Sequence, residues 1–496
     1  MSAKFPENMP EVFVSNTRLS RDVIRAVQSG KLRNVGPKLY SRNMTDSPET
    51  IVRRNLWQIL DNYLPGALIS DRTAIENKPA EDGSIFVIAD RKMDIRLPGI
   101  IIRPRKGIPA LESDRKFIGS LYLCSTARAL LENMRPSRAR NSRVPRTCTK
   151  HEVEQHLETV LRLSGEAALN SLRDEIKSIS TILSLEQEAS ELNNIIGALL
   201  GTRTAQLGSD IARARADGKP FDPNRLQLFE KLFISLNNLA PCHRRSQLNK
   251  AEEWSTISFF DAYFSNFIEG TEFGVTEAAE IAFQGKIPLQ RPEDAHDILG
   301  TYKIVSSSAE MKKLPTSFPS LLELLQQRHA QIMGSRPEKS PGKFKSQSNR
   351  AGATEFVAPE LVAGTLMRGF QYYQALGYPF SRAIFMMFLI SEVHPFKDGN
   401  GRVARIMMNA ELIAAGENRI IIPTIFRNNY LSALRAMSLS AISEPLIRTL
   451  DFAQRYVTQI PWTSLDTAQK ALTETNAFED PNIADRDGIR LTLPVQ

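Results

Sequence analysis

Cysteine is scarce in this chain. Cys124, Cys148 and Cys242 are the three present in 496 residues, and they are widely spaced. An odd, scattered set builds neither a disulfide framework nor a zinc cluster, so these read as buried or incidental thiols. Histidine is scarce too, at six. His151 and His156 have no carboxylate or thiol company and read as surface residues rather than ligands. No apolar run reaches membrane-spanning length, and Met1 to Asn8 carry no apolar leader. The expectation is a soluble, cytoplasmic protein with no membrane partner. Between residues 150 and 240 no heptad is sustained, so nothing requires a coiled coil.

An even spread of charge is also missing. Residues 1–150 hold 27 Lys+Arg against 15 Asp+Glu, a net +12, whereas the whole chain is +8, which leaves −4 for the remainder. Excess positive charge in the N-terminal third marks a candidate nucleic-acid-binding end. The length has room for about three domains of roughly 150 residues.

What is present is concentrated at His394-Pro395-Phe396-Lys397-Asp398-Gly399-Asn400-Gly401-Arg402, running on to Arg405. The apolar run Ala383–Ile390 before it reads as a helix buried on all sides, with Ser381 as its N-cap. After it, Val403, Ile406, Met407, Ala410, Ile413 and Ala414 recur at helical spacing, and Gly416 supplies a stop. A polar, glycine-bearing loop therefore leads into a helix N-terminus, whose first N–H groups lack internal partners and favour an anion. Gly399 and Gly401 admit a phosphate close to the backbone. Arg402 and Arg405, three apart, share a face and fit phosphate oxygens. Asp398, the one carboxylate in this cationic loop, suggests a hard divalent cation bridging phosphates. His394 is a base near neutral pH, and Phe396 points inward as an anchor. Together these parts suit phosphoryl or nucleotidyl transfer to a hydroxyl. The plain alternative is a polar turn between two helices.

The string resembles the signature of the Fic family, His-x-Phe-x-Asp-Gly-Asn-Gly-Arg-x-x-Arg, with every fixed position filled. The resemblance implies an all-helical core with a β-hairpin flap, and AMP transfer from ATP to a Ser, Thr or Tyr hydroxyl. His394 would deprotonate that hydroxyl, and Asp398 would hold Mg2+. Asn400 with the amides of Gly399 and Gly401 would cradle the α-phosphate, and Arg402 and Arg405 would take the β- and γ-phosphates. The related Doc toxins, which phosphorylate their target, carry a bulkier basic residue where Gly401 stands, so Gly401 favours AMP transfer.

A second stretch, Phe259 to Gly270, places Ser265 and Glu269 one turn apart, with Gly270 closing the helix. It is similar to the family's inhibitory element, Ser/Thr-x-x-x-Glu-Gly/Asn. There the glutamate pairs with the second motif arginine, here Arg405, and displaces the γ-phosphate. The physical logic stands by itself, since an anion on that arginine competes with the phosphate. A chance pair on a surface helix is the alternative.

Pro341–Lys345 and Thr354–Pro359 resemble the family's flap, which would hold a target protein along Phe344–Pro359 as an added strand. Lys345 stands where arginine is commoner, and a disordered loop is the competing reading. Arg427-Asn-Asn-Tyr430 resembles a family helix whose first tyrosine, here Tyr430, would line the adenine pocket; Leu431 replaces the second. Helices are expected at Glu277–Phe283 and Leu321–Ile332, with His329 capping or packing.

Toward the N-terminus, Leu19–Val27 reads as a helix capped by Ser20, and residues 31–40 as a basic hairpin. This pairing resembles the winged-helix segment of AbiEi-type antitoxins. Arg21, Arg25, Lys31, Arg33 and Lys38 would touch phosphates if it binds DNA, and would be a solvated face if it binds protein. Glu49–Leu64 and Leu121–Leu131 read as helices, and Ser84–Ala89 and Gly99–Ile102 as strands. The expected fold class is mainly α, with a small α/β winged-helix-like module ahead of a helical region and the Fic core. The divisions are 1–47, 48–134, a basic exposed linker at 135–150, a helical region at 151–254 with a candidate homodimer surface, the Fic domain at 255–455, and a polar, peripheral tail at 456–496. The reading is a protein adenylyltransferase inhibited within its own chain. Alternatives are AMP removal, transfer of another nucleotide, or a toxin–antitoxin-type DNA-binding regulator.

Overall fold

The computed structural model describes residues 10–15, 20–139, 144–352 and 354–494. The expectations for residues 18–19 and for the Ser20 side chain lie outside what is described. The chain is mainly helical and divides into two compact units, residues 1–218 and 219–496.

In the first unit, β1 (Val12–Val14), β2 (Arg33–Gly36) and β3 (Leu39–Ser41) form an antiparallel sheet in the order β1-β3-β2. The helix Ser20–Gln28 lies between β1 and β2 in sequence. The basic hairpin therefore forms where its alternation placed it. A six-stranded mixed sheet follows, built from β4 (Leu68–Ile69), β5 (Ser84–Ile88), β6 (Ile95–Leu97), β7 (Ile100–Arg105), β8 (Arg115–Lys116) and β9 (Tyr122–Leu123), in the order β6-β7-β5-β4-β9-β8. The expected helix at Leu121–Leu131 begins later, at Thr126, because Tyr122 and Leu123 pair with β4 and the Ser125 hydroxyl caps the helix by accepting from the Arg128 N–H. The expected Glu49–Leu64 helix is two helices, Pro48–Arg54 and Leu56–Tyr63, broken at Asn55.

The stretch 135–150 is not a free linker where it is described. The Arg146 guanidinium meets buried Asp71, the Arg72 N–H donates to the Arg146 carbonyl at 3.1 Å, and Cys148 donates its N–H to Asn133. A buried carboxylate needs such cations, and Asp71 has Arg105 and Arg146. The long helix Lys150–Leu183 kinks at Gly165 (φ 78°) and packs with Glu186–Leu199 around Leu157, Ile176, Leu192 and Ile196.

The second unit is helical except for the two-residue strands β10 (Arg350–Ala351) and β11 (Thr354–Glu355) and an isolated bridge between Arg245 and Glu417, among the described residues. The helix Pro223–Asn237, read with the helices before it, belongs here. Its Phe229 packs edge-on to Phe385 and Phe388. Those two rings lie on the central helix Pro379–Val393, buried along nearly its whole length as the apolar run required. Ser381 does not cap it. The helix starts at Pro379, where proline's missing N–H costs nothing, and the buried Ser381 hydroxyl donates to the Leu236 carbonyl. The motif helix, Asn400–Ala414, is equally enclosed and ends at Gly416 (φ 73°).

The helix Ala251–Ile268 runs antiparallel to the motif helix and is tied to it by buried polar groups. Asp261 accepts from the Asn409 amide (3.2 Å) and pairs with Arg419 (3.1 Å), and Arg419 also donates to the Ser258 hydroxyl. The other side of this helix is aromatic. Phe260 and Phe264 pack on Trp462 and Phe478, within a cluster that includes Ala468, Leu472 and Ala477. The segment after 456 is thus part of the core rather than a peripheral tail. Its helices Leu465–Glu474 and Pro481–Asp487 carry mostly polar residues outward, and that hid the few apolar ones that pack inward. Replacing Asp261 with alanine would leave the Arg419 guanidinium buried without its carboxylate. The expected cost is about 3–5 kcal/mol, read as a lower urea midpoint of the second unit, and a loss under about 1 kcal/mol would contradict this account.

Candidate functional site

The site is built where the central helix stops. His394 ends that helix in the left-handed conformation (φ 52°), its N–H donating to the Ile390 carbonyl. A non-glycine residue pays for such a conformation, at about 1–3 kcal/mol, and such strain collects at functional sites. The imidazole lies flat against Phe356, with centroids 3.7 Å apart and planes 5° apart. Its Nδ1 faces the Ser391 carbonyl at 3.2 Å and so carries the hydrogen, which leaves the lone pair on Nε2. Burial first, then the nearby Lys345 cation, depress its pKa to about 4. At neutral pH the ring is an uncharged base.

Phe396 is buried and sandwiched between Phe344 and His329, whose ring is stacked 3.8 Å away. His329 does more than pack. Its Nδ1 accepts the Gly342 N–H (2.9 Å), and its Nε2 donates to the Asp398 carbonyl (3.0 Å), so it fastens the loop after residue 341 to the motif. Its place on a helix 65 residues upstream left no sequence signal of this role. Burial depresses its pKa to about 4.

One oxygen of Asp398 accepts the Gly399 N–H (2.7 Å), and the other faces Lys339 at 3.1 Å. Burial pushes this carboxyl up, but the Gly399 N–H and Lys339 outweigh it, so it stays ionised below the usual carboxylate range. No group of three or more His, Cys, Asp or Glu residues that could hold a metal occurs among the described residues. A lone hard oxygen donor of this kind fits Mg2+ whose remaining ligands are phosphate oxygens and water.

The motif helix opens at Gly399 (φ 73°) with no side-chain cap, so its first N–H groups keep their attraction for an anion. The Asn400 side chain bonds within the loop. Its amide closes the loop on itself, accepting the Phe396 N–H (2.8 Å) and donating to the Phe396 carbonyl (2.9 Å). Arg402 is ion-paired to Asp297 at 2.6 Å. Arg405 is taken up by the neighbouring helix. It donates to the Ser265 hydroxyl (2.9 Å), the Ser265 carbonyl (2.8 Å) and Glu269 Oε1 (2.6 Å). Burial raises the Glu269 pKa, but Arg405 and then Arg402 outweigh it and hold the carboxyl below its ordinary value. Gly270 follows at φ 91°, closing the helix as expected. A Cβ at Gly401 would lie 2.2 Å from Glu269 Oε1 and 3.1 Å from Arg405 Nη1, so the glycine makes room for this carboxylate.

Tyr430 is 1% exposed, with its hydroxyl against the Met387 sulfur and beside the Arg405 guanidinium, so it lines no open pocket here. Arg427, the first residue of the same helix, donates to the Ile268 carbonyl and caps the helix that carries Glu269. In the stretch expected to be a flap, the described residues hold a short antiparallel pairing, Arg350 with Glu355 and Ala351 with Thr354. Its base is sewn to the motif by Lys345, whose N–H donates to the Pro395 carbonyl, and by Asn349, which donates to the Phe396 carbonyl.

Residues 319–412 match the family model for the Fic/DOC family. They form a Fic domain homologous to known Fic adenylyltransferases. The chain is 26% identical over 288 residues to the Protein adenylyltransferase Fic of Drosophila yakuba, covering 54% of this chain and 56% of that protein. It is 27% identical over 235 residues to that of Drosophila willistoni, covering 45% and 46%. The chain spans about half the length of the curated relatives it matches. Among solved structures it is similar to a Fic domain containing signaling protein from Bacteroides thetaiotaomicron (TM-score 0.36, 19% identity, 50% of this chain and 97% of that one). It is also similar to Fic-1 from C. elegans (TM-score 0.36, 18% identity, 65% and 93%). The family model does not reach the N-terminal third, so the resemblance to AbiEi-type modules gains no support from it.

Both depressed histidines make a pH test. A histidine held neutral in the fold loses nothing above its unfolded pKa near 6.5. Below that the unfolded chain takes up a proton the fold refuses, so stability falls with pH from 6.5 to about 4. For buried His329 the loss is about 3 kcal/mol. NMR titration of the free protein should place His394 and His329 midpoints near 4; midpoints near 6.5 would refute the environments described.

Proposed function

We propose that this chain is an adenylyltransferase that moves AMP from ATP to a Ser, Thr or Tyr hydroxyl of a target protein, and that Glu269 holds it inhibited. One geometric fact carries the reading. A neutral imidazole with its lone pair on Nε2 sits in the same loop as an uncapped helix N-terminus bearing two arginines. His394 Nε2 takes the proton of the target hydroxyl as its oxygen bonds to the α-phosphorus. The bond from that phosphorus to the bridging oxygen breaks, and pyrophosphate leaves. The amides of Gly399 and Gly401 receive α-phosphate charge. Asp398 would hold Mg2+, which would supply neutralisation of the phosphate charge. The target segment lies along Phe344–Pro359, beside the Phe356 ring that covers one face of His394. Arg405 receives the γ-phosphate only after Glu269 leaves, because one guanidinium cannot give the same N–H groups to both anions. This assigns the Asn400 side chain to the shape of the loop, and Tyr430 to support beneath Arg405 instead of an adenine wall. The place of action under this reading is the cytoplasm. No described helix is long and apolar enough to cross a membrane.

With Mg2+ and ATP, Glu269→Gly should label itself or lysate proteins with AMP. Adding His394→Ala should lower the rate about 10²–10⁴-fold. No labelling by the single variant would end the proposal. Parallel runs with UTP, GTP and a pre-AMPylated target separate transfer of another nucleotide and AMP removal.

A second reading concerns the first unit, and the uneven charge favours it. Arg21, Arg25, Lys31 and Lys38 are exposed around the helix Ser20–Gln28 and the β2–β3 hairpin. In a winged-helix-like role this face would bind duplex DNA through its phosphates. Band-shift of the full chain should then weaken about 0.9 log unit per log unit of salt for each phosphate neutralised. No shift at low salt would assign the face to a protein partner.

A further inference from the structure

Arg402 has an unusual set of partners. Its Nη1 meets Asp297 at 2.6 Å and Asn266 Oδ1 at 3.3 Å. Its Nη2 has only the Met333 sulfur, 3.3 Å away, and its Nε is buried with no partner. A thioether is a weak acceptor. One end of the guanidinium is therefore fully bound, while the Nε–Nη2 edge is nearly unspent inside a side chain that is 4% exposed. Such an edge is one of the two that can grip a phosphate with parallel N–H donors. A buried donor edge left nearly unspent beside the motif loop is available to an acceptor that arrives from outside.

Asp297 is placed to stay. It lies on the helix Pro292–Val305, its side chain is 2% exposed, and Arg336 Nε reaches both of its oxygens at 3.2 and 3.1 Å. Arg336 is in turn held by Glu293 and Asp294 on the same helix. Glu269 differs on each count: it is a helix-capping residue, its side chain is 29% exposed, and one oxygen contacts Arg405. The two motif arginines thus have carboxylates of opposite fate.

We propose that Asp297 is the positioning residue for Arg402: it holds the Nη1 end and presents the Nε–Nη2 edge to the polyphosphate of a nucleoside triphosphate. The inference rests on the adenylyltransferase reading and adds a division of labour to it. Arg405 exchanges its carboxylate for phosphate. Arg402 keeps its carboxylate and binds phosphate with the opposite edge.

The test uses the full chain carrying Glu269→Gly, with Asp297→Ala, Asp297→Asn and Arg336→Met added singly. ATP binding is measured by calorimetry and AMP labelling against ATP concentration. Asp297→Ala should raise Kd and KM for ATP about tenfold, the loss of one charge-assisted contact, with kcat within about threefold. Asp297→Asn keeps an acceptor oxygen and should fall between. Arg336→Met removes the carboxylate's other partner, and should lower thermal stability while raising KM clearly less than Asp297→Ala, because Asp297 stays paired with Arg402. An unchanged KM in a folded Asp297→Ala protein overturns the proposal. So does an Arg336→Met shift in KM as large as that of Asp297→Ala, which would mark a loosened fold. If the alanine variant does not fold, an unchanged Kd and KM in Asp297→Asn overturns it. If Glu269→Gly gives no labelling at all, the adenylyltransferase reading fails, while the ATP Kd still reports on Asp297.

Discussion

Arg405 is a buried cation whose N–H groups are taken by Ser265 and Glu269, and under the proposed function a phosphate would compete for them. A buried guanidinium must be paired. In this chain the partner comes from the antiparallel helix Ala251–Ile268, and the pairing is the last rung of a ladder. Asp261 faces Asn409, Ser265 faces Arg405, and Glu269 lies over Gly401. On one helix the members are four apart, at 261, 265 and 269; on the other they are 409, 405 and 401. Helical periodicity alone aligns them once the helices run in opposite directions. The deeper rungs are enclosed, while the terminal one sits at a helix end and is partly exposed.

That ladder explains features that would otherwise look unrelated. The aromatic back of the helix needs a cover, and Trp462, Leu472 and Phe478 supply it, so the C-terminal segment packs on the helix that ends at Glu269. Arg427 holds the same helix by the carbonyl of its last residue, Ile268. Gly401 must lack a side chain because Glu269 fills the space a Cβ would take. Under the proposed function, the same glycine would leave room for a triphosphate once the carboxylate has moved away.

The motif loop is held from two directions by stacked rings. Phe356 covers His394, and His329 covers Phe396 while bonding to Gly342 and to the Asp398 carbonyl. Both imidazoles are kept neutral by burial. One keeps its lone pair available for a proton; the other uses its lone pair to position backbone. The first unit applies the same rule to a different purpose. Asp71 and Arg128 are fully buried charges there, and each has opposite charges around it, so the segment that follows the sheet is bound in place by Arg72 and Arg146.

The amino-acid sequence by itself determined the local parts. Spacing and chemistry identified the motif loop, the helices on either side of it, the Ser265–Glu269 turn and the basic hairpin, because each signal is complete within about a dozen residues. Only the tertiary structure decided what each side chain faces. Asn400 turns inward to the loop, Arg402 goes to Asp297, and His329 becomes part of the site, since these partners lie from 4 to 105 residues away in the chain. Tyr430 sits under Arg405 instead of in a pocket, and the polar C-terminal segment contributes to the core. Short strands such as β4 and β9 escaped the sequence because two residues carry no readable alternation; their hydrogen bonds come from neighbours. A pattern reports which face of an element is apolar. It does not report which other element will cover that face, and at this site the covering helix brings the carboxylate that meets Arg405.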